Sequence, residues 1–102
     1  MLQKIQAISD PTRFAILELV RDRELPAGEI AGHFSMSRPA ISQHLRVLKE
    51  NELIRERREG TRRFYRIRSE GFRDIQKFLE SFWAPRLDKL KELTEQAERE
   101  KK

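Results

Sequence analysis

The chain has 102 residues, 37% hydrophobic and 38% charged, with 22 Lys+Arg against 17 Asp+Glu and a formal net charge of +5. Such a length builds about one domain that buries roughly two-thirds of its unfolded surface, leaving little room for a large cofactor pocket or a second catalytic domain. The absence of Cys excludes disulfides, thiolate nucleophiles and Cys-based metal or iron–sulfur sites.

In chain order, Leu2, Ile5 and Ile8 recur every three residues, the spacing of a short helix with one apolar stripe. Ser9-Asp10-Pro11 restarts the chain, an Asp cap followed by Pro at the first helical position. The helix it opens carries Phe14, Leu17, Leu19 and Val20 and is expected to run to about Asp22. Leu25-Pro26 breaks it, and residues 27–34 form another short helix around Ile30, Ala31 and Phe34. Past a turn at Ser35-Met36-Ser37, Ser37 caps a helix over residues 40–50, with Pro39 tolerated at its start. Its inner stripe is Ile41, Leu45 and Leu48. The period then changes. Residues 53–58 and 63–68 are extended runs flanking Glu59-Gly60-Thr61, with Phe64, Tyr65 and Ile67 as strand formers. From about Gly71 a long amphipathic helix carries Phe72, Ile75, Leu79, Phe82, Trp83, Leu87, Leu90, Leu93 and Ala97, and Pro85 must kink or split it. The charged tail from Glu95 is expected to fray.

The excess charge is not evenly spread. Residues 1–69 hold 14 Lys+Arg and 9 Asp+Glu, whereas residues 70–102 hold 8 of each. Residues 55–68 alone carry Arg55, Arg57, Arg58, Arg62, Arg63, Arg66 and Arg68 against Glu56 and Glu59, which accounts for the whole imbalance. A solvated face ordinarily mixes its signs. A one-sign, all-Arg segment suits phosphate oxygens and base edges, for which planar guanidinium is the better partner. No apolar run approaches the ~20 residues that span a bilayer, and Met1-Leu2-Gln3-Lys4 does not open as a secretory leader. The expectation is a cytoplasmic protein with no membrane partner.

The fold expected is mainly α with a small β-hairpin: residues 27–50 have the plan of a helix-turn-helix, and residues 53–68 add a wing. Ala31 lets the second helix cross closely, and that helix turns Arg38, Ser42, Gln43, Arg46 and Lys49 outward. These are short or bidentate hydrogen-bonding groups suited to base edges and phosphates. Around the wing tip lie Arg57, Arg58, Thr61, Arg62 and Arg63.

Here the sequence resembles a known family. Ile8-Ser9-Asp10-Pro11-Thr12-Arg13, followed by Ile16-Leu17 and Leu19, is similar to the opening of the ArsR family of bacterial winged-helix repressors. Residues 37–49, with Ser42-Gln43-His44-Leu45 and Leu48, resemble its recognition helix, and Arg58-Glu59-Gly60 with Phe64-Tyr65-Arg66-Ile67 resembles its wing. The match spans residues 5–68 in order, and the combination is more specific than any piece. The resemblance implies a homodimeric repressor of double-stranded DNA, joined through its first and last helices. Two departures stand out. Metal-sensing members carry a Cys-rich motif where this chain has Glu24-Leu25-Pro26-Ala27-Gly28-Glu29, and others use Asp and His on the last helix, yet no His occurs from Gly71 onward. Without thiolate or imidazole there, a first-row metal lacks a ligand set, so a metal-independent member with no cofactor is expected. Asn51-Glu52 stands where the family often has Gly, and Asn51 is expected to take the left-handed cap.

Blander readings stand beside these. The Arg segment can be a merely solubilising strand pair, and Arg38, Ser42, Gln43 and Arg46 ordinary exposed helix residues. Ser37 is a cap first, and a phosphate contact is compatible with that. His44, between outward Gln43 and inward Leu45, reads as a packed, hydrogen-bonded residue or a phosphate contact rather than a metal ligand. His33 reads as structural or surface, and Asp10 as a cap rather than a catalyst.

On the last helix, Phe72, Ile75 and Leu79 suit the monomer's own core. Phe82, Trp83, Leu87, Leu90 and Leu93 continue the stripe beyond what a small winged domain covers. Pairing with a second copy, together with Leu2 and Ile5, resolves this, with Trp83 as the best single anchor. The chain thus reads as one domain over residues 1–102, with residues 1–8 and 70–100 as dimerisation helices. Two recognition helices about 34 Å apart read successive major grooves, so the target is an imperfect inverted repeat. The rival reading is a winged-helix docking module that takes an acidic protein partner on its Arg face. An enzyme needs a nucleophile or acid–base pair converging in a pocket, and two isolated His with four Gly assemble none. Nothing in the sequence identifies an effector.

Overall fold

The computed structural model describes residues 1–83 and 93–95. Helix α1 (Leu2–Ser9) ends because Asp10 is extended, at φ −71° and ψ 129°, and Asp10 at once caps α2 (Pro11–Leu19). Its Oδ2 accepts from the Arg13 backbone N–H at 3.0 Å, satisfying a donor the helix itself cannot. Helix α2 stops three residues short of the expected Asp22. Val20 leaves helical geometry and sinks into the core at 1% exposure, and Arg21-Asp22-Arg23-Glu24 offers no apolar residue to continue the stripe.

Leu25-Pro26, expected as a mere break, forms a short strand, β1 (Leu25–Pro26), with Leu25 opposite Tyr65 and Pro26 opposite Phe64. The wing strands β2 (Ile54–Glu59) and β3 (Arg62–Ile67) pair antiparallel from Ile54↔Ile67 to Glu59↔Arg62, across a turn at Gly60-Thr61 with Gly60 at φ 61°. The sheet is therefore three-stranded, in order β1-β3-β2, rather than a hairpin. Pro26 is tolerated because β1 is an edge. Helix α3 (Ala27–Ala31) is shorter than the expected 27–34, and the chain leaves it through tight turns at His33 and Phe34.

Helix α4 (Arg38–Glu50) begins at Ser37, whose Oγ accepts from the Ala40 N–H at 3.3 Å. It buries Ile41, Leu45 and Leu48, the stripe the sequence predicts. Its C-terminus differs from expectation: Asn51 stays at φ −93° and Glu52 takes the left-handed position at φ 61°. The Leu53 N–H reaches the Leu48 carbonyl and the Glu52 N–H the Lys49 carbonyl, a Schellman ending. Asn51 instead closes the helix with its side chain, donating from Nδ2 to the Val47 carbonyl at 2.8 Å. The Glu52 carbonyl then accepts from the Gly71 N–H at 3.1 Å, so close that a Cβ on Gly71 would lie 2.3 Å from that oxygen.

Helix α5 (Ser69–Glu80) lays Phe72 and Ile75 against the core, and Lys4 of α1 meets Asp74 at 2.9 Å. Leu79, expected in the monomer core, is 43% exposed, because the stripe runs past the end of α1. Phe78, Phe82 and Trp83 are exposed as well, like Leu2 near the other terminus, while Ile5 is half-buried. The chain turns tightly over Ser81–Trp83. Pro85, Leu87, Leu90 and Ala97 lie outside the described residues, and Leu93 is exposed. Among the described residues no helix is long and apolar enough to cross a membrane.

Candidate nucleic-acid interface

The inner face of α4 is fixed by Ile41, Leu45 and Leu48 in the core, so the helical period leaves the opposite face outward. Ser37, Arg38, Pro39, Ser42, Gln43, Arg46 and Lys49 are all exposed there. The wing approaches this face because the turn after α4 drops Leu53 and Ile54 straight into the core beside Leu48. Two clefts result. One, of about 490 Å³, lies between α3, the start of α4 and the wing tip, lined among others by Arg38, Ser42, Thr61, Arg62 and Arg63. The other, of about 290 Å³, lies further along α4 and takes in Ser42, Arg46, Lys49, Glu56, Arg63 and Tyr65. Ser42, Arg63 and Tyr65 border both, so recognition-helix and wing residues far apart in sequence share one surface.

The Arg-rich wing is less open than its composition suggests. Arg57 is gripped by Glu24 at 2.6 Å and by Glu59 at 2.9 Å, and it stacks over Phe64 with its guanidinium 4.6 Å from the ring centre. The hydrogen bonds that Arg57 donates hold the Glu24 carboxyl below the usual carboxylate range, and donating to Glu24 and Glu59 raises the Arg57 guanidinium. Arg55 and Arg68 both reach Glu70, and Arg58 and Arg63 both face Glu56. Lys49 makes a 2.6 Å ion pair with Glu56. Among the described residues Arg38, Arg46, Arg62 and Arg66 make no ion pair within 4.0 Å, although Arg62 also stacks on Phe64 at 5.0 Å. Of these unpaired cations, Arg38 and Arg46 sit on α4, Arg62 at the wing tip and Arg66 lower on β3.

His44 is packed rather than outward. Its Nδ1 lies 3.2 Å from Arg13 Nη1 and 3.9 Å from Asp10 Oδ2. The same Arg13 donates from Nε to the Ala7 carbonyl at 2.8 Å, so one guanidinium joins α1, α2 and α4. Sequence inspection missed this role of Arg13, and it missed Glu24 and Glu56 as internal counter-charges. The signal for Glu56 was present: it stands two residues after core Ile54, on the face of the strand that turns inward. His33 is exposed, on the loop after α3. Among the described residues no three His, Asp or Glu side chains are grouped to hold a metal ion.

A family model described as "Bacterial regulatory protein, arsR family" matches residues 10–56. The transcriptional repressor SdpR of Bacillus subtilis is 44% identical over 69 residues, covering 68% of this chain and 77% of that protein. The HTH-type transcriptional regulator Rv2034 of Mycobacterium tuberculosis is 44% identical over 78 residues, covering 76% of this chain and 73% of that protein. A solved structure described as a possible transcriptional regulator for arsenical resistance is 38% identical, with a TM-score of 0.73 over 88% of this chain and 94% of that one. With this identity extending across most of its relatives' length and through the helix-turn-helix, the chain belongs to the ArsR family of bacterial regulatory proteins, which are winged helix-turn-helix transcription regulators and not enzymes.

Proposed function

We propose that the protein is a homodimeric repressor that binds an imperfect inverted repeat of double-stranded DNA in a promoter, without sensing a metal. The observation that carries this reading is the shared surface on which Arg38, Ser42 and Arg46 of α4 meet Arg62 and Arg63 of the wing. Gln43 and Arg46 reach base edges, Gln favouring adenine and Arg favouring guanine. Ser37, Pro39, Thr61 and the wing-tip Arg lie along the backbone, where contacts position the protein without reading sequence. His44 sits behind this row. Attraction comes from counterion release by the unpaired Arg side chains, and occupancy of a promoter excludes polymerase. The exposed Leu2, Phe78, Leu79, Phe82 and Trp83 supply the dimer face, continued by Leu93. A Cys-free chain without His after residue 44 supports metal independence. Such a protein acts where the DNA is, in the cytoplasm.

Selection of bound duplexes from a random pool tests the reading. Recovery of an inverted repeat with half-sites about one helical turn apart is expected. A pool left unenriched at moderate salt would refute it and favour docking to an acidic protein partner.

A further inference from the structure

Glu56 is the unusual residue of the wing. Strand alternation places Ile54, Glu56 and Arg58 on one face of β2, beside Arg63 and Tyr65 on β3. That face turns toward α4, so the Glu56 side chain is only 10% exposed. Its Oε2 accepts from Lys49 Nζ at 2.6 Å. Its Oε1 is shut off from water and makes no hydrogen bond, although the Nε atoms of Arg63 and Arg58 lie 3.4 and 3.5 Å away. The Lys49 hydrogen bond keeps the carboxyl below its usual range, so it stays charged at neutral pH. One largely covered carboxylate therefore faces three cations drawn from both sides of the nucleic-acid cleft, and none of the three faces another acid within 4.0 Å among the described residues.

A carboxylate and a phosphate compete for the same donors. We propose that Glu56 is a specificity-determining residue, an internal stand-in for phosphate that keeps Lys49, Arg58 and Arg63 engaged when the protein lies on arbitrary DNA. This rests on the DNA-binding reading above. Moving those cations to backbone phosphates leaves an unpaired charge on the largely covered Glu56. Non-specific binding, which is almost wholly electrostatic, lacks compensation for that and forgoes the three contacts. A duplex that also satisfies the base-reading face of α4 gains enough to draw them away. Glu56 thus lowers affinity for the wrong sequences more than for the right one.

The test compares Glu56→Gln with the wild type on a random duplex and on the duplex selected as above, across a salt series. Each phosphate contact contributes a salt slope of about −0.9, equivalent to about eightfold in affinity at 0.1 M salt relative to 1 M. Glu56→Gln is therefore expected to tighten random-duplex binding by about eightfold or more at 0.1 M salt. It should steepen the slope by about one contact or more and shrink the ratio between selected and random duplex. An unchanged or weakened affinity for random duplex would overturn the proposal, leaving Glu56 as a structural tie. Lys49→Gln supplies a check that does not depend on Glu56→Gln folding. It should weaken the selected duplex and cost less on random duplex than Arg46→Gln, because the Arg46 guanidinium is tied to no acid among the described residues and so is free for phosphate on any sequence. Equal loss from Lys49→Gln and Arg46→Gln on random duplex would likewise overturn it. If the wild type itself binds no duplex, the DNA-binding reading fails, an outcome separate from either variant result.

Discussion

Arg13 carries more of the architecture than its place in a surface helix suggests. Its Nη1 lies 3.2 Å from His44 Nδ1, and because a guanidinium can only donate, that ring nitrogen is the accepting partner in this contact. The guanidinium also serves the last turn of α1 through the Ala7 carbonyl, which α1 cannot satisfy for itself. Arg13→Met leaves both acceptors without this donor and should lower stability by about 1–3 kcal/mol, measured by urea unfolding. Asp10, Glu24, Glu56, Glu70 and Asp74 all have their carboxyl groups held below the usual range by hydrogen bonds in the fold. For such groups the unfolded chain binds more protons in the acid window, so stability rises with pH there. The thermal midpoint should therefore fall as pH drops through and below the ordinary carboxylate range near 4. A midpoint that holds or rises below that range would contradict these pairings. The residue scale was also the least legible in the sequence. The capping roles of Asp10 and Ser37 follow from local chemistry and were predicted. The Arg13–His44 contact joins residues 31 positions apart, and no local rule announces it.

At the scale of elements, the apolar stripe of α4 and the strand formers of the wing were readable from their periods. By contrast, α1 buries Ala7 and α2 buries Ile16, while Leu2 and Phe14 of the expected stripes are exposed. What could not be read was pairing. The strand β1 is two residues long and gains its identity only from Tyr65 and Phe64 opposite it, and it brings Glu24 within reach of Arg57. The junction of α4, Glu52 and Gly71 is another case. Glycine at position 71 looked like a helix start, whereas its role is to admit the Glu52 carbonyl at a distance no Cβ tolerates. Gly71→Ala should therefore push α5 off this turn and lower stability by about 1–3 kcal/mol. The same change at Gly28, where an added Cβ meets only the Arg38 guanidinium at 3.8 Å, should be nearly neutral. Thermal unfolding of the two variants separates them, and equal midpoints would refute the tight junction.

For the whole molecule, the sequence located a positive segment and a neutral, aromatic-striped end, and both survive in the fold with altered meaning. The wing draws Glu24 and Glu70 from outside its own span, so part of its positive charge is neutralised within the fold, while Arg62 at the tip and Arg66 on β3 make no ion pair among the described residues. The stripe leaves the core one turn earlier than its period implied, exposing Leu79 with Phe78, Phe82 and Trp83. An aromatic cluster of this kind is a poor surface for a monomer. Trp83→Ala should raise the dimer dissociation constant by about 2 kcal/mol, roughly thirtyfold, as read by sedimentation. It should also weaken binding to a full inverted repeat more than to a single half-site. A variant that sediments like the wild type would place the dimer face elsewhere.

The central proposal is a division of labour, with α4 reading bases and the wing tip holding the backbone. It is tested most directly by measuring Gln43→Ala and Arg62→Ala on the selected duplex and on random duplex at one salt concentration. Gln43→Ala should lose about 1–3 kcal/mol on the selected duplex and almost nothing on random DNA. Arg62→Ala should weaken both alike and leave their ratio intact, with a salt slope shallower by about one contact. If both variants weaken both duplexes equally, α4 does not read the sequence and the account is wrong.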